Sequence, residues 1–129
     1  MNDHQHLALW AADCAERVLA LFETQHPEDT RAREAVRAVR LWQNGDLAMT
    51  AARIFAFAAH AAAREAGSPA AAAAARAAGH AAATAHVATH APHAAAYALK
   101  AIALMGQGQE AERDWQRRRL PPHLRNLVP

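Results

Sequence analysis

Residues 68–99 read SPAAAAAARAAGHAAATAHVATHAPHAAAYAL, and Arg76 is the only side chain among them with a fixed charge. A solvated helix of this length carries acids and bases on its outer face. An uncharged one must be covered by other helices, in its own fold or across a homo-oligomer interface. Alanine supplies strong helix propensity and lets helices approach closely. Ser68-Pro69 is the clearest helix start in the chain, a capping serine followed by proline at the first helical position. The spacing predicts a helix from there to about His90, and Pro92 opens another that carries Tyr97, Leu99, Ile102 and Met105. Gly106-Gln107-Gly108 stops it.

Working outward, apolar residues at spacings of three and four (Leu7, Trp10, Cys14, Val18, Leu21) predict one helix over 4–24. Asp13 and Arg17, four apart, are placed to pair along it. His26-Pro27-Glu28-Asp29-Thr30 ends that helix, and Asp29 or Thr30 caps the next, over 31–43, with Ala35, Val36, Val39 and Trp42 buried. Asn44-Gly45 is a stop. Asp46 is read as the cap of a third helix over 46–66, lined by Leu47, Ala51, Ile54, Ala58 and Ala62. A last main helix covers 109–119, anchored by Trp115, with a short helical turn near Leu124. No strand pattern occurs. The expectation is an all-α fold: a single domain over 1–129, about six helices in a bundle or in stacked antiparallel hairpins, with the alanine-rich hairpin at its centre.

The chain of 129 residues has a formal charge of only +2, which does not point to nucleic acid. The charge is uneven. Residues 1–30 carry six acids against Arg17, a net of −5, whereas residues 111–129 carry five arginines against Glu112 and Asp114, a net of +3. Such polarity suits docking to a charged protein, self-association, or ion pairs between the two ends. Cys14 is the only cysteine, so no intramolecular disulfide forms. The opening MNDHQH lacks a basic n-region, and no run of about 18 residues is apolar enough for a membrane span. A soluble cytoplasmic protein is expected, with no membrane partner.

Within the alanine block the histidines His80, His86, His90 and His93 are the main polar groups. His86 and His90, four apart on one helix, would share a face and hold a metal ion, with His93 as a third candidate. Against this, Val87 stands where a zinc protease has its glutamate, and no acid lies between Glu65 and Glu110. The other reading is an interior polar cluster of His80, His86, His90 and Tyr97 bonded to hydroxyls and carbonyls. Asp13, in the apolar stretch LALWAADCAERVLALF, pairs with Arg17 at the surface or receives Arg53, Arg76 or a histidine internally. Cys14, on the apolar stripe, reads as a small buried hydrophobe rather than a nucleophile. No phosphate-binding loop, G-x-S-x-G elbow or cofactor motif is present.

Three blocks occur in order: LALWAADCAERVLALFE (7–23), ARAAGHAAATAHVATHA with AAAYALKAI (75–102), and ERDWQRRRLPPHLRNLV (112–128). Together they resemble the Imm-5-like domain family, immunity proteins of bacterial polymorphic toxin systems. The resemblance runs from about residue 5 to 128, and Trp10, Asp13, His80, His86, His90, Tyr97 and Trp115 are its family-like positions. It implies an all-helical protein that binds and neutralises a cognate toxin and has no catalytic residues or cofactor. Two other classes stand beside it: a metal-dependent enzyme or sensor built on His86 and His90, and a self-associating helical protein.

Overall fold

The structure, a computed structural model, describes residues 1–129 and is all-α. The helices are α1 (Asp3–Glu16), α2 (Leu19–Glu23), α3 (Arg31–Gln43), α4 (Met49–Arg64), α5 (Pro69–Ala83), α6 (Ala91–Leu104) and α7 (Glu110–Arg118). Short 3-10 segments cover Ala88–His90 and Pro122–Leu127. No helix is long and apolar enough to cross a membrane.

Helix α5 is the axle of the molecule. It packs against α1, α2, α3, α4 and α6, and ten of its fifteen residues are buried. The cover that an uncharged helix requires therefore comes from this chain itself. As expected, Ser68 starts α5: its Oγ accepts the Ala71 N–H at 3.1 Å. Burying an alanine methyl contributes only about 0.8 kcal/mol, against roughly 1.5–3 kcal/mol for a large aliphatic or aromatic side chain. The large buried groups Trp10, Phe22 and Val39 lie on α1, α2 and α3, so that side of α5 carries more stabilisation per residue than the α4 and α6 sides.

Several expected boundaries moved. The first helix breaks at Arg17–Val18 into α1 and α2. Val18 leaves helical geometry (φ −114°, ψ 2°), and Val18, Leu19 and Phe22 are all buried on the far side of the break. Helix α4 starts three residues later than expected, at Met49. Asp46 accepts from Asn44 Nδ2 instead of capping it. Its buried face is also different: Ala52, Ala56, Ala59, Ala62 and Ala63 are inside, while Ile54 is 68% exposed. Alanines recur at every register of α4, and the helix buries the line that approaches α5 most closely rather than the line with the most carbon.

The largest correction concerns α5, which ends at Ala83 and not near His90. Thr84 Oγ1 bonds back to the His80 carbonyl, and Val87 is extended (φ −139°, ψ 120°). His4 Nε2 lies 2.6 Å from the Thr84 carbonyl oxygen. A carbonyl only accepts, so Nε2 carries the proton there. His86 and His90 therefore do not share a helical face. Helix α6 begins at Ala91 with Pro92 in its first turn, and Gly106 ends it with φ +76°. In α7 the buried anchors are Gln116 and Glu112 rather than the half-buried Trp115.

Candidate functional site

Four imidazoles and one phenol meet where α4, α5 and α6 lie side by side. His80, on α5, is the hub. Its ring is 4.9 Å from that of His60 on α4, 5.2 Å from His90 and 5.3 Å from His93. It lies almost parallel to Tyr97 of α6, with centroids 5.3 Å apart and planes 10° from each other. The Nδ1 atoms of His80 and His90 are 3.0 Å apart, so one donates and the other accepts, which requires at least one of the two rings to be neutral. His60, His80 and His90 are half-buried, and His93 is exposed.

Burial lowers the pKa of three of these rings, and their neighbours add to the effect. His80 is brought down to about 4, first by desolvation and then by His60, His90, His93 and Arg76. His60 is lowered by burial, Arg76, Arg64 and His90; His90 by burial, His93 and His86. Every charged partner acting on them is a base. They are neutral at pH 7 and short of basicity for general-base work at that pH. No carboxylate stands beside them to orient an imidazole or to stabilise its charged form.

Of the residues singled out from sequence, the structure brings together His80, His90, His93 and Tyr97. It sets His86 apart: exposed, with Nδ1 3.2 Å from Met49 Sδ. No three His, Cys, Asp or Glu side chains are arranged to hold one metal ion. Asp13 belongs to another region. It pairs neither with Arg17 nor with a histidine but with Arg40 of α3, at 3.0 Å. Arg17 instead reaches Glu112 of α7 with two bonds, 2.8 and 3.1 Å, and lies 4.3 Å over Trp115, which Arg119 also approaches at 4.8 Å. The acidic N-terminal segment, residues 1–30, is thus neutralised mainly from α3, by Arg33 on Glu23 and Arg40 on Asp13 and Glu16. The arginine-rich terminus contributes little to that. Cys14 is fully buried, and burial raises its thiol pKa far above the usual range. Such burial keeps the thiol protonated.

His60 was missed from sequence. Its signal is Gly79, the one glycine inside an alanine helix. A Cβ there would lie 2.7 Å from the His60 ring, so glycine is what admits the imidazole. Its Nδ1 is buried without a hydrogen-bond partner. Beyond the cluster, Ala72, Arg76, Tyr97, Lys100 and Leu104 line a cleft of about 400 Å³ between α5 and α6.

The model of the family described as "Imm-5 like putative immunity protein" matches residues 1–123. That span includes the whole histidine cluster, α7 and the Arg17–Glu112 pair. No curated protein and no solved structure matches the chain.

Proposed function

This chain belongs to the Imm-5-like immunity-protein family, and from that premise we propose that it is a non-catalytic cytoplasmic protein that binds and neutralises a cognate bacterial toxin domain. The observation that carries the reading is the family match over 1–123 of 129 residues. The chemistry of the side chains supports a binding role. The single thiol is buried with its pKa raised. The half-buried imidazoles face only bases. Neither set is poised for nucleophilic or general-base catalysis.

The test is co-production in a bacterial host with the toxin domain encoded beside this chain. Growth arrest by the toxin alone, relieved by this protein, with a stoichiometric complex on gel filtration, is the expected result. Arrest that persists with the protein present in excess rejects the reading.

A further inference from the structure

An immunity protein needs a surface that meets its toxin, and one face of this molecule has the chemistry for it. On α4, Arg53, Phe57, His60 and Arg64 follow one another at spacings of four, three and four, which places them along one side of the helix. On α5, Ala72, Arg76 and His80 form the half-exposed line of an otherwise buried helix. On α6, His93, Tyr97, Lys100 and Leu104 repeat the pattern. The His60–His80 and His80–Tyr97 ring contacts join the three lines side by side. The cleft of about 400 Å³ prolongs the face toward Leu104.

This face is positive throughout. Arg53, Arg64, Arg76 and Lys100 make no ion pair, whereas Arg17, Arg31, Arg33 and Arg40 do. Arg37 on α3 and Arg113 and Arg118 on α7 have no acidic side-chain partner either, but those helices also carry the acids Glu34 and Glu110, Glu112 and Asp114, whereas α4, α5 and α6 carry none. The one acid between Met49 and Leu104, Glu65, is taken up by Arg31 at 2.7 Å. A set of unpaired cations around half-buried neutral imidazoles lacks its counter-charge. Exposed Phe57 and Ile54, 60% and 68% accessible, supply apolar contact beside it, and Arg53 already lies over the Phe57 ring at 5.4 Å. Apolar and aromatic anchors among arginines are the make-up of protein interfaces. A nucleic acid is a poorer fit, because Tyr97 spends one ring face on His80 and offers less of a platform for a base.

We propose that the α4–α5–α6 face, centred on Arg76, His80, Tyr97 and Lys100, docks an acidic segment of the toxin. The identity of that partner rests on the immunity reading above. Carboxylates entering the face pair with Arg76 and Lys100. They also favour the charged form of the histidines, so binding draws protons onto His80 and its neighbours.

The experiment uses the full chain and the adjacent toxin domain, with affinity read by calorimetry at low and high salt. Arg76→Glu with Lys100→Glu is expected to weaken binding by at least about tenfold. Arg76→Gln with Lys100→Gln, kept in case the reversal disturbs folding, should give a smaller loss of the same sign. Reversal of Arg37 on α3 should change affinity by less than about twofold. Wild-type affinity should fall as salt rises. In the complex, the His80 imidazole should titrate higher than in the free protein, a change that a purely structural role for Arg76 and Lys100 does not produce. Unchanged binding by both double variants, alongside wild-type neutralisation, overturns this surface and leaves the immunity reading intact. A wild-type chain that neither binds nor neutralises removes both. Hexaglutamate and a single-stranded DNA dodecamer serve as simple probes by NMR. Shifts at Tyr97 and Lys100 with the peptide support the proposal, and tighter, salt-sensitive binding of the oligonucleotide there overturns it.

Discussion

Gly79 and His60 show how one missing carbon admits a side chain to an alanine interior. Alanine at position 79 would gain about 1 kcal/mol of helix propensity, but its methyl would lie 2.7 Å from the His60 ring. Overpacking of this kind costs roughly 1–3 kcal/mol. Gly79→Ala is therefore expected to destabilise the wild type and to stabilise the His60→Ala background. Urea unfolding of the four proteins in the cycle reads the coupling, and an equal gain in both backgrounds would rule out steric contact as the reason for glycine. The neighbouring ring sets a pH dependence. His80 titrates near 6.5 when unfolded and at about 4 in the fold, so the unfolded chain binds more protons between those values. Its stabilising contribution is complete above about pH 6.5 and is lost as pH falls toward 4; His60 and His90 act with the same sign. Because the ring is half exposed, the loss for His80 is on the order of 1–2 kcal/mol. Urea midpoints should fall between pH 7.5 and 4.5, and His80→Asn should flatten the slope. Asp29, whose pKa is lowered by hydrogen bonds from Arg31, acts in a lower window, below its unfolded value near 4.

Among the elements, α5 concentrates both stability and signal. Its cap is local and its contacts are global, so Ser68→Ala should cost about 1 kcal/mol and lower Tm by roughly 3–5 °C. Ser68→Asp should retain most of the cap, and thermal unfolding followed by circular dichroism distinguishes the two. The same serine made the start of α5 legible, as Asn44-Gly45 and Gly106 did the ends of α3 and α6, because such residues act through the backbone and need no knowledge of packing. The end of α5 was not legible. Thr84, Ala85 and His86 are individually compatible with helix, and the stop coincides with a tertiary partner, His4 on the Thr84 carbonyl, followed by the extended backbone of Val87. That stop split the His86–His90 pair and left His90, one turn of 3-10 helix later, beside His80. The inward face of α4 was hidden for a related reason. Where most positions are alanine, hydrophobic periodicity carries little information, and closeness of approach to α5 decides. Composition pointed to His80, His86, His90 and His93, with Tyr97, as the polar groups of that interior, and the structure gathers all of them but His86. His60 came from α4, on a line that the periodic reading had turned outward.

At the scale of the whole molecule, a net charge of +2 conceals a division of labour. Acids and bases of α1–α3 largely cancel through ion pairs, while α4–α6 presents bases alone. The core does not divide in the same way. One contiguous cluster of 33 buried residues runs from Leu7 to Leu124 and takes in both the large side chains around Trp10 and Phe22 and the alanines of α5 and α6. Helix α7 is tied into it, since Trp10 Nε1 donates to the Gln116 carbonyl at 2.9 Å and Gln116 Nε2 donates to that of Ala95 at 3.1 Å. In the alanine-rich half Leu99 is the one large side chain that is buried, with Phe55, Tyr97 and Ile102 only partly so. That is too little apolar area to persist alone, so this half should unfold only when the half containing Trp10 unfolds. The expectation is a single cooperative urea transition, with m of about 1–3 kcal/mol/M. Far-UV circular dichroism is dominated by the helices, and tryptophan emission reports Trp10 in the core, Trp42 beside His4 and Trp115 within reach of the Arg17 and Arg119 guanidinium groups. Coincident midpoints from the two probes would show that the basic face is carried on the same cooperative unit as the aromatic core. An earlier loss of ellipticity, with emission unchanged, would instead make α5 and α6 a separately melting layer, and the face they present would then be ordered by its partner rather than preformed.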